Sequence, residues 1–427
     1  LQKKSILLIT YYWPPSGGSG VQRWMYFAKY LKEFAYEIEV ITVDEKVASY
    51  PSLDSSLNIH VKEITVHKTN SKEVIAAYSM LKSGKKNKVV PQGNVGNKKK
   101  SFLDKLSIFV RANFFVPDAR IGWNKFAIQK AEQLIQNKSF DIIITTGPPH
   151  STHLVGLHLK NKFNIKWIAD FRDPWVEVYY NDLFKRMKFA QKKDEKLELN
   201  VLQRADKILT IGPSMKTLLA KKVTASKIEY IFNGFDENLF QNKVKTKSDK
   251  FILSYVGTLS LNYPYKSLIE ALKLIQNLAI QNKVIQVQFT GKIDAEIITE
   301  FKKLSNIELK NNGVRSHQES VDIMCQSDLN LLLLPYQKDA QIMITGKVFE
   351  YLASGNPILA IGSKLSDATK IVQEKATNSA CFEKEEINQI ADFINKVIFS
   401  KSSSNPIDLE FSRKNTALKL ANLLDNL

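Results

Sequence analysis

The 427-residue sequence has little cysteine, little histidine and no long apolar run. Cys325 and Cys381 are its only cysteines, and both sit in apolar surroundings, which argues against a disulfide framework. The six histidines (His60, His67, His150, His153, His158 and His317) form no His-x-x-x-His beside a carboxylate and no pairing with cysteine, so no metal and no cofactor are expected. No apolar stretch reaches the roughly 18–20 residues that span a bilayer. A strand pattern begins almost at the N-terminus in place of a signal peptide, which points to a cytoplasmic protein. Acidic residues are in deficit: 43 Asp and Glu face 61 Lys and Arg, a formal charge of +18. That excess calls for an anionic partner, whether nucleic acid, anionic lipid or a phosphorylated substrate. The aromatics are not interleaved with arginine on a recognisable module, so nucleic acid is the weakest of the three.

What is present is an ordinary globular composition, 44% apolar and 24% charged, in a chain long enough for two domains of about 100–200 residues each. Short apolar runs alternate with helical patterns, the signature of βα units feeding parallel sheets. Strands are predicted at 6–10, 37–43, 141–145, 166–170 and 207–211, and again at 252–256, 285–290, 307–310, 329–334 and 357–361. Each set makes its own sheet, giving an α/β fold of two Rossmann-like domains facing a cleft. The Asn233-Gly234 turn and the polar run after it place the boundary between domains 1–232 and 233–408. Residues 409–427 carry a helical apolar face at Ala417, Leu418, Leu420, Ala421, Leu423 and Leu424, with no strand to follow, and are expected to pack back on the first domain. Between Lys82 and Lys100, seven lysines are interleaved with glycine, asparagine and proline, and an apolar face from Phe102 to Val116 follows. Residues 82–116 read either as a solvated loop before a buried helix or as an interfacial segment on anionic membrane.

Three loops at strand ends carry chemistry, and in an open parallel sheet such loops line the ligand crevice. The first strand runs into Tyr11-Tyr12-Trp13-Pro14-Pro15-Ser16-Gly17-Gly18-Ser19-Gly20 at the start of a helix. There Gly17 and Gly18 let backbone N–H groups approach a phosphate or sugar, unless they serve only as a tight turn. A dinucleotide fingerprint needs a third glycine where this chain has Arg23, which weakens a dehydrogenase reading. The second loop holds His150 and His153, candidate acid–base groups because histidine titrates near neutrality. The third, Asp170-Phe171-Arg172-Asp173-Pro174-Trp175, places three charges beside a tryptophan; these either pair with one another or bind substrate.

The sharper signal is Thr345-Gly346-Lys347-Val348-Phe349-Glu350, which opens a short helix that Gly355 ends. A lysine in a first turn runs against the helix dipole, and makes sense if an anionic diphosphate shares that end. Glu350, one turn on, can accept from both hydroxyls of a ribose; the plainer alternative is a solvated Lys347–Glu350 pair.

With these residues the chain resembles the GT-B glycosyltransferases of family 4, and among them a bacterial type linked to surface polysaccharide. The resemblance is carried by Gly17 to Gly20, Thr146-Gly147-Pro148-Pro149, Asp170 to Trp175, Asn233-Gly234-Phe235-Asp236, Val256-Gly257-Thr258-Leu259 and Lys347 to Pro357. It implies retaining transfer from a nucleotide diphosphate sugar, bound mainly by the second domain, to a glycan or glycolipid acceptor held mainly by the first. Glu350 matches the family's ribose ligand. The family's other glutamate falls on Ile342, and its diphosphate-holding Arg and Lys fall near Thr258 and Tyr263, so Lys347 carries more of the phosphate charge, with Lys266 or Arg315 assisting. The resulting assignment is Lys347, Asp173 and His150 in catalysis; Gly17, Gly18, Gly257, Arg315, Thr345, Gly346, Lys347 and Glu350 on the donor; and Asp170, Arg172, His153 and Trp175 on the acceptor. A sugar-nucleotide epimerase of the same fold and a non-catalytic partner of a transferase are the alternatives.

Overall fold

The computed structural model describes residues 4–72, 109–181, 186–276, 284–305, 307–400 and 407–427. The lysine run and the apolar positions 102–106 lie outside them. The chain divides into two compact units, Leu1–Phe232 with Thr416–Leu427, and Asn233–Asn415.

The first unit is built on seven parallel strands: β1 (Ser5–Ile9), β2 (Glu37–Val43), β3 (Thr65–Thr69), β4 (Ile142–Gly147), β5 (Lys166–Phe171), β6 (Lys207–Thr210) and β7 (Ile228–Tyr230), in the order β3-β2-β1-β4-β5-β6-β7. Every position of β1 and β4 is buried, as helices on both faces of a parallel sheet require. Those helices are α1 (Ser19–Glu33), α2 (Asn124–Asn137), α3 (Ser151–Phe163), α4 (Lys188–Arg204) and α5 (Pro213–Ala220). Asp118 caps α3 from outside it, accepting from the Ser151 N–H and hydroxyl at 2.8 Å each. Proline at the first position of α5 costs no hydrogen bond, since that N–H has no intrahelical partner. On α3, Gly156 lets the helix lie against Trp167, whose ring a Cβ there would meet at 2.4 Å. The C-terminal helix Arg413–Asp425 ends in this unit: Lys4 Nζ donates to the Leu424 carbonyl at 2.6 Å, and the Tyr36 hydroxyl bonds the Ala421 carbonyl at 3.0 Å and Asp425 at 2.5 Å.

The second unit has six parallel strands: β8 (Lys250–Val256), β9 (Val284–Thr290), β10 (Ile307–Asn311), β11 (Leu329–Leu333), β12 (Ile358–Ile361) and β13 (Ala380–Phe382), ordered β10-β9-β8-β11-β12-β13. Around them lie α6 (Tyr265–Gln276), α7 (Ala295–Phe301), α8 (His317–Gln326), α9 (Gly346–Ser354), α10 (Asp367–Lys375) and α11 (Ile387–Phe399). Leu253, Tyr255, Leu268, Leu272, Phe289, Leu331, Ile390 and Ile394 belong to one buried cluster between sheet and helices. A reciprocal Ser316–Glu319 capping box starts α8. The unit's entering and leaving segments run side by side: Phe235 N–H donates to the Phe411 carbonyl at 2.9 Å and Arg413 N–H to the Phe235 carbonyl at 2.7 Å. Cys325 and Cys381 are both free and buried.

All ten expected strands are present, and β3, β7 and β13 are additional. Each of the three lies at a sheet edge. An edge strand is short and half solvated, so Thr65–Thr69, Ile228–Tyr230 and Ala380–Phe382 leave no continuous apolar run to read. Strand order reverses between β1 and β4 in the first unit and between β8 and β11 in the second. The loops leaving those strands are where such sheets bind ligands.

Candidate active site

In the first unit the glycine loop leaves β1 and meets the loop leaving β4. Gly17 N–H donates to the Ser52 carbonyl at 2.9 Å, and a Cβ on Gly17 would stand 2.7 Å from the Ser52 hydroxyl. Gly18, at φ +95, precedes α1 and faces open space. A ligand can therefore approach the backbone at Gly18, while Gly17 is turned toward protein.

Asp170 takes a structural role in place of the expected acceptor contact. It is fully buried, one oxygen accepting from Arg23 (Nη2 at 3.2 Å, Nε at 3.3 Å), the other from Trp24 Nε1 at 2.6 Å and Thr146 Oγ1 at 2.8 Å. Arg23 also donates to the carbonyls of Ile231 (2.8 Å) and Thr210 (3.3 Å). The residue that spoils a dinucleotide fingerprint is thus the partner of a buried carboxylate at the end of β5. Arg172 is likewise turned inward, donating to the carbonyls of Gly20, Gly147 (3.1 Å) and Pro148 (2.6 Å) and so tying the glycine loop to the β4 loop. Asp173 alone of the three charges is exposed.

The histidines also differ from expectation. His150 stacks on Trp175 at 5.1 Å and His153 on Phe171 at 4.5 Å, all four rings buried. Burial pushes His150 down to about 3, a weak Pro174 backbone contact opposing, and takes His153 well below the ordinary value. Both are neutral at physiological pH, which removes the near-neutral titration expected of them. Trp175 is no platform for an acceptor either, since it is buried and its Nε1 donates to Asp194 at 2.6 Å.

In the second unit β8 and α9 assemble a cation site. Thr345 caps α9, its hydroxyl accepting from Lys347 N–H at 3.2 Å, and Gly346 faces open space. Tyr351, on the inner face of the helix, accepts from Val256 N–H at 3.0 Å and pins α9 to the end of β8. The Lys347 ammonium donates to the Tyr255 hydroxyl at 2.9 Å and lies 4.3 Å from the centre of the Tyr255 ring. It reaches there because Gly257, at φ +127, has no side chain: a Cβ would stand 2.9 Å from Nζ. Burial lowers Lys347 to about 8, the nearby Glu350 pulling the other way. The Glu350 carboxylate bonds His317 Nε2 at 2.7 Å. Lys347 and Glu350 therefore have separate partners, instead of the simple lysine–glutamate pair. Arg315 is exposed and faces Glu319 at 3.8 Å, and Lys266 is exposed on α6.

Sequence reasoning missed Tyr255, His317 and the pairing of Arg23. The Ser316-x-x-Glu319 box was a readable sign that a helix begins at His317, and a titratable residue opening a helix beyond a strand end merited attention. Among the described residues no group of three or more His, Cys, Asp or Glu is arranged to hold a metal, and no helix is long and apolar enough to cross a membrane.

Fold and site define a class: an α/β protein of two Rossmann-like units with the GT-B fold. Within that class the likeness is to glycosyltransferases, for residues 94–239 match the model of Glycosyltransferase Family 4, which supports glycosyl transfer as the general activity. Similar solved structures span nearly the whole chain. The N-terminal domain of Candida albicans trehalose-6-phosphate phosphatase is 12% identical with a TM-score of 0.62, covering 99% of this chain and 97% of that one. The apo lipopolysaccharide outer core galactosyltransferase WaaB is 14% identical, TM-score 0.57, covering 99% and 100%. S. aureus TarM, in complex with fondaparinux, alpha-GlcNAc-glycerol and UDP, is 13% identical, TM-score 0.57, covering 99% and 96%. No curated protein matches the sequence.

Proposed function

We propose that the protein transfers a glycosyl group, with retention, from a nucleotide diphosphate sugar to a lipid-linked saccharide in cell-surface polysaccharide synthesis. The observation that carries this reading is the Lys347 ammonium, lodged between Tyr255 and Gly257 at the first turn of α9. A lysine lowered by burial gains most from an anion that restores its charge. In the transfer the bond from the anomeric carbon to the diphosphate oxygen breaks with its electron pair going to that oxygen, an acceptor hydroxyl oxygen takes the carbon, and the hydroxyl proton passes to the departing diphosphate. Charge gathers on the leaving diphosphate, where the Lys347 ammonium and the positive end of the α9 dipole stabilise it. Glu350 receives the ribose hydroxyls. In the first unit, Gly18 and Asp173, both exposed, are assigned to the acceptor or sugar. No metal or cofactor takes part in this scheme. The UDP in the TarM complex favours the donor class, and the lipopolysaccharide substrate in WaaB's description favours the setting.

Association with the inner face of an anionic membrane is part of the proposal. Its support is an exposed apolar patch with basic neighbours. Phe114 (62% exposed), Met187 (46%) and Phe189 (49%) come together, the two rings 6.1 Å apart and Met187 N–H donating to Asn113 at 2.5 Å. Lys188, Lys192, Lys193 and Lys196 are exposed along α4 with the single exposed acid Glu195 among them, while Asp194 and Glu198 are buried. Such a surface suits anionic lipid.

The test is a thermal-shift panel of nucleoside diphosphates and their sugars, followed by turnover of the selected donor with and without glycolipid acceptor. A selective shift and acceptor-dependent release of nucleoside diphosphate are expected. Product from the nucleotide sugar alone would indicate an epimerase, and no shift with any nucleotide would indicate a non-catalytic partner.

A further inference from the structure

Lys347 and Glu350 stand three residues apart on one helix, a spacing at which opposite charges ordinarily pair. In this structure they form no ion pair with each other. Lys347 is drawn to Tyr255, and Glu350 is taken by His317, the first residue of α8. We infer that His317 is a positioning residue for the donor site: it holds the Glu350 carboxylate off Lys347, leaving the ammonium for a diphosphate and the second carboxylate oxygen for a vicinal diol.

The inference rests on the donor reading above and adds the device that keeps that site open. Without His317, the carboxylate is left to Lys347 one turn back on its own helix, whose charge it already feels. The pair would then close on itself, and an incoming diphosphate would have to displace an internal anion. A neutral imidazole can hold Glu350 through Nε2–H, and an imidazolium holds it more strongly, because a bond between two charged partners is about twice as strong as a neutral one. The groups facing His317 are Glu350 on α9, Asp236 on the entering segment and Arg413 on the leaving one; Glu319 is exposed on α8 itself. Hydrogen bonding to Glu350 raises His317 above the ordinary histidine value, with burial and Arg413 opposing and Asp236 adding to the rise. The hold on Glu350 therefore weakens as pH climbs through that raised value.

The experiment is calorimetric titration of the full chain with UDP, GDP and ADP at pH 6 to 9, for the wild type, His317→Ala, His317→Gln, Glu350→Gln, Lys347→Met and the double variant His317→Ala/Lys347→Met. Thermal unfolding checks that each is folded. His317→Ala is expected to weaken the preferred diphosphate about tenfold, the scale on which partners that orient a ligand act. His317→Gln, which keeps a donor, recovers most of that loss but shows a flatter pH profile between 6 and 7.5. Lys347→Met costs less in the His317→Ala background than in the wild type, because there the lysine is already engaged by Glu350. Additive losses in the cycle, or a pH profile unchanged by His317→Gln, overturn the inference. Weakening by Glu350→Gln with none by His317→Ala overturns it while leaving the donor reading intact. If the wild type binds none of the three nucleotides, the donor reading falls and this inference with it.

Discussion

Replacing Lys347 by methionine keeps the apolar stem over Tyr255 and removes the charge. The lysine starts from an unfavourable position, its value about 8 against an ordinary 10.5. One unit below that value, at pH 7, roughly nine in ten molecules carry the charge; at pH 8 about half do. A diphosphate binding beside it pulls the value back up, so the complex takes up protons: about 0.1 at pH 7 and about 0.5 at pH 8. The charge-assisted contact itself contributes about 1.5–3 kcal/mol, a factor of roughly 10 to 150 in Kd. Titration calorimetry in two buffers of different ionisation enthalpy reads both quantities. Lys347→Met should weaken the nucleoside diphosphate by that factor, leave the monophosphate nearly unchanged, and abolish most of the proton uptake at pH 8. Wild-type affinity should decline about tenfold per unit above pH 8, since the charged form is lost there. If the variant binds the diphosphate within about twofold of the wild type, or takes up as many protons, Lys347 is not the diphosphate ligand.

Gly257→Ala puts a Cβ 2.9 Å from Nζ in a backbone conformation at φ +127; it should displace the lysine, reduce diphosphate affinity in parallel with Lys347→Met, and lower stability by about 1–3 kcal/mol in urea unfolding. Asp170→Asn leaves the buried Arg23 guanidinium without its counter-charge and is expected to cost about 3–5 kcal/mol; a change under about 1 kcal/mol would mean that the pair is dispensable. Gly156→Ala drives a methyl into the Trp167 ring and should cost about 1–3 kcal/mol together with a shift in tryptophan fluorescence. Burial raises Glu198 to about 7, Lys222 opposing, so its protonated form suits the fold and its contribution is lost as pH rises from the ordinary carboxylate range through 7. Glu198→Gln should flatten that dependence, and equal urea midpoint differences between pH 5 and pH 8 in both proteins would count against it.

The alternation of buried strands and amphipathic helices was legible because a parallel sheet covered on both faces writes continuous apolar runs into the sequence, as in Ile142 to Ile144 and Leu329 to Leu333. Gly257, Lys347 and Glu350, assigned above to the donor, stood out because they sit on local motifs. Their partners did not. Tyr255 is 92 positions from Lys347, and His317 is 33 from Glu350. Asp170 and Arg172 looked like ligand groups because charges at a strand end usually face solvent. The return of Arg23 and Trp24 from 147 and 146 residues away makes Asp170 a core residue. For His150 and His153, residue type alone suggested titration, while the aromatic stack that keeps them neutral is assembled from the next loop.

The paired segments at Phe235 and Ser412 bear on how the chain is put together. Residues 233–415 are inserted into the sequence of the first unit as a cassette is, and 416–427 belong to that first unit again. The cassette's two ends are already stitched to each other, by Phe235 to Phe411 and Arg413 to Phe235, inside the cassette itself. The closure of the cassette is therefore made from its own residues. A gene could exchange one cassette for another between Phe232 and Thr416 while the sequence that builds the first unit stays untouched.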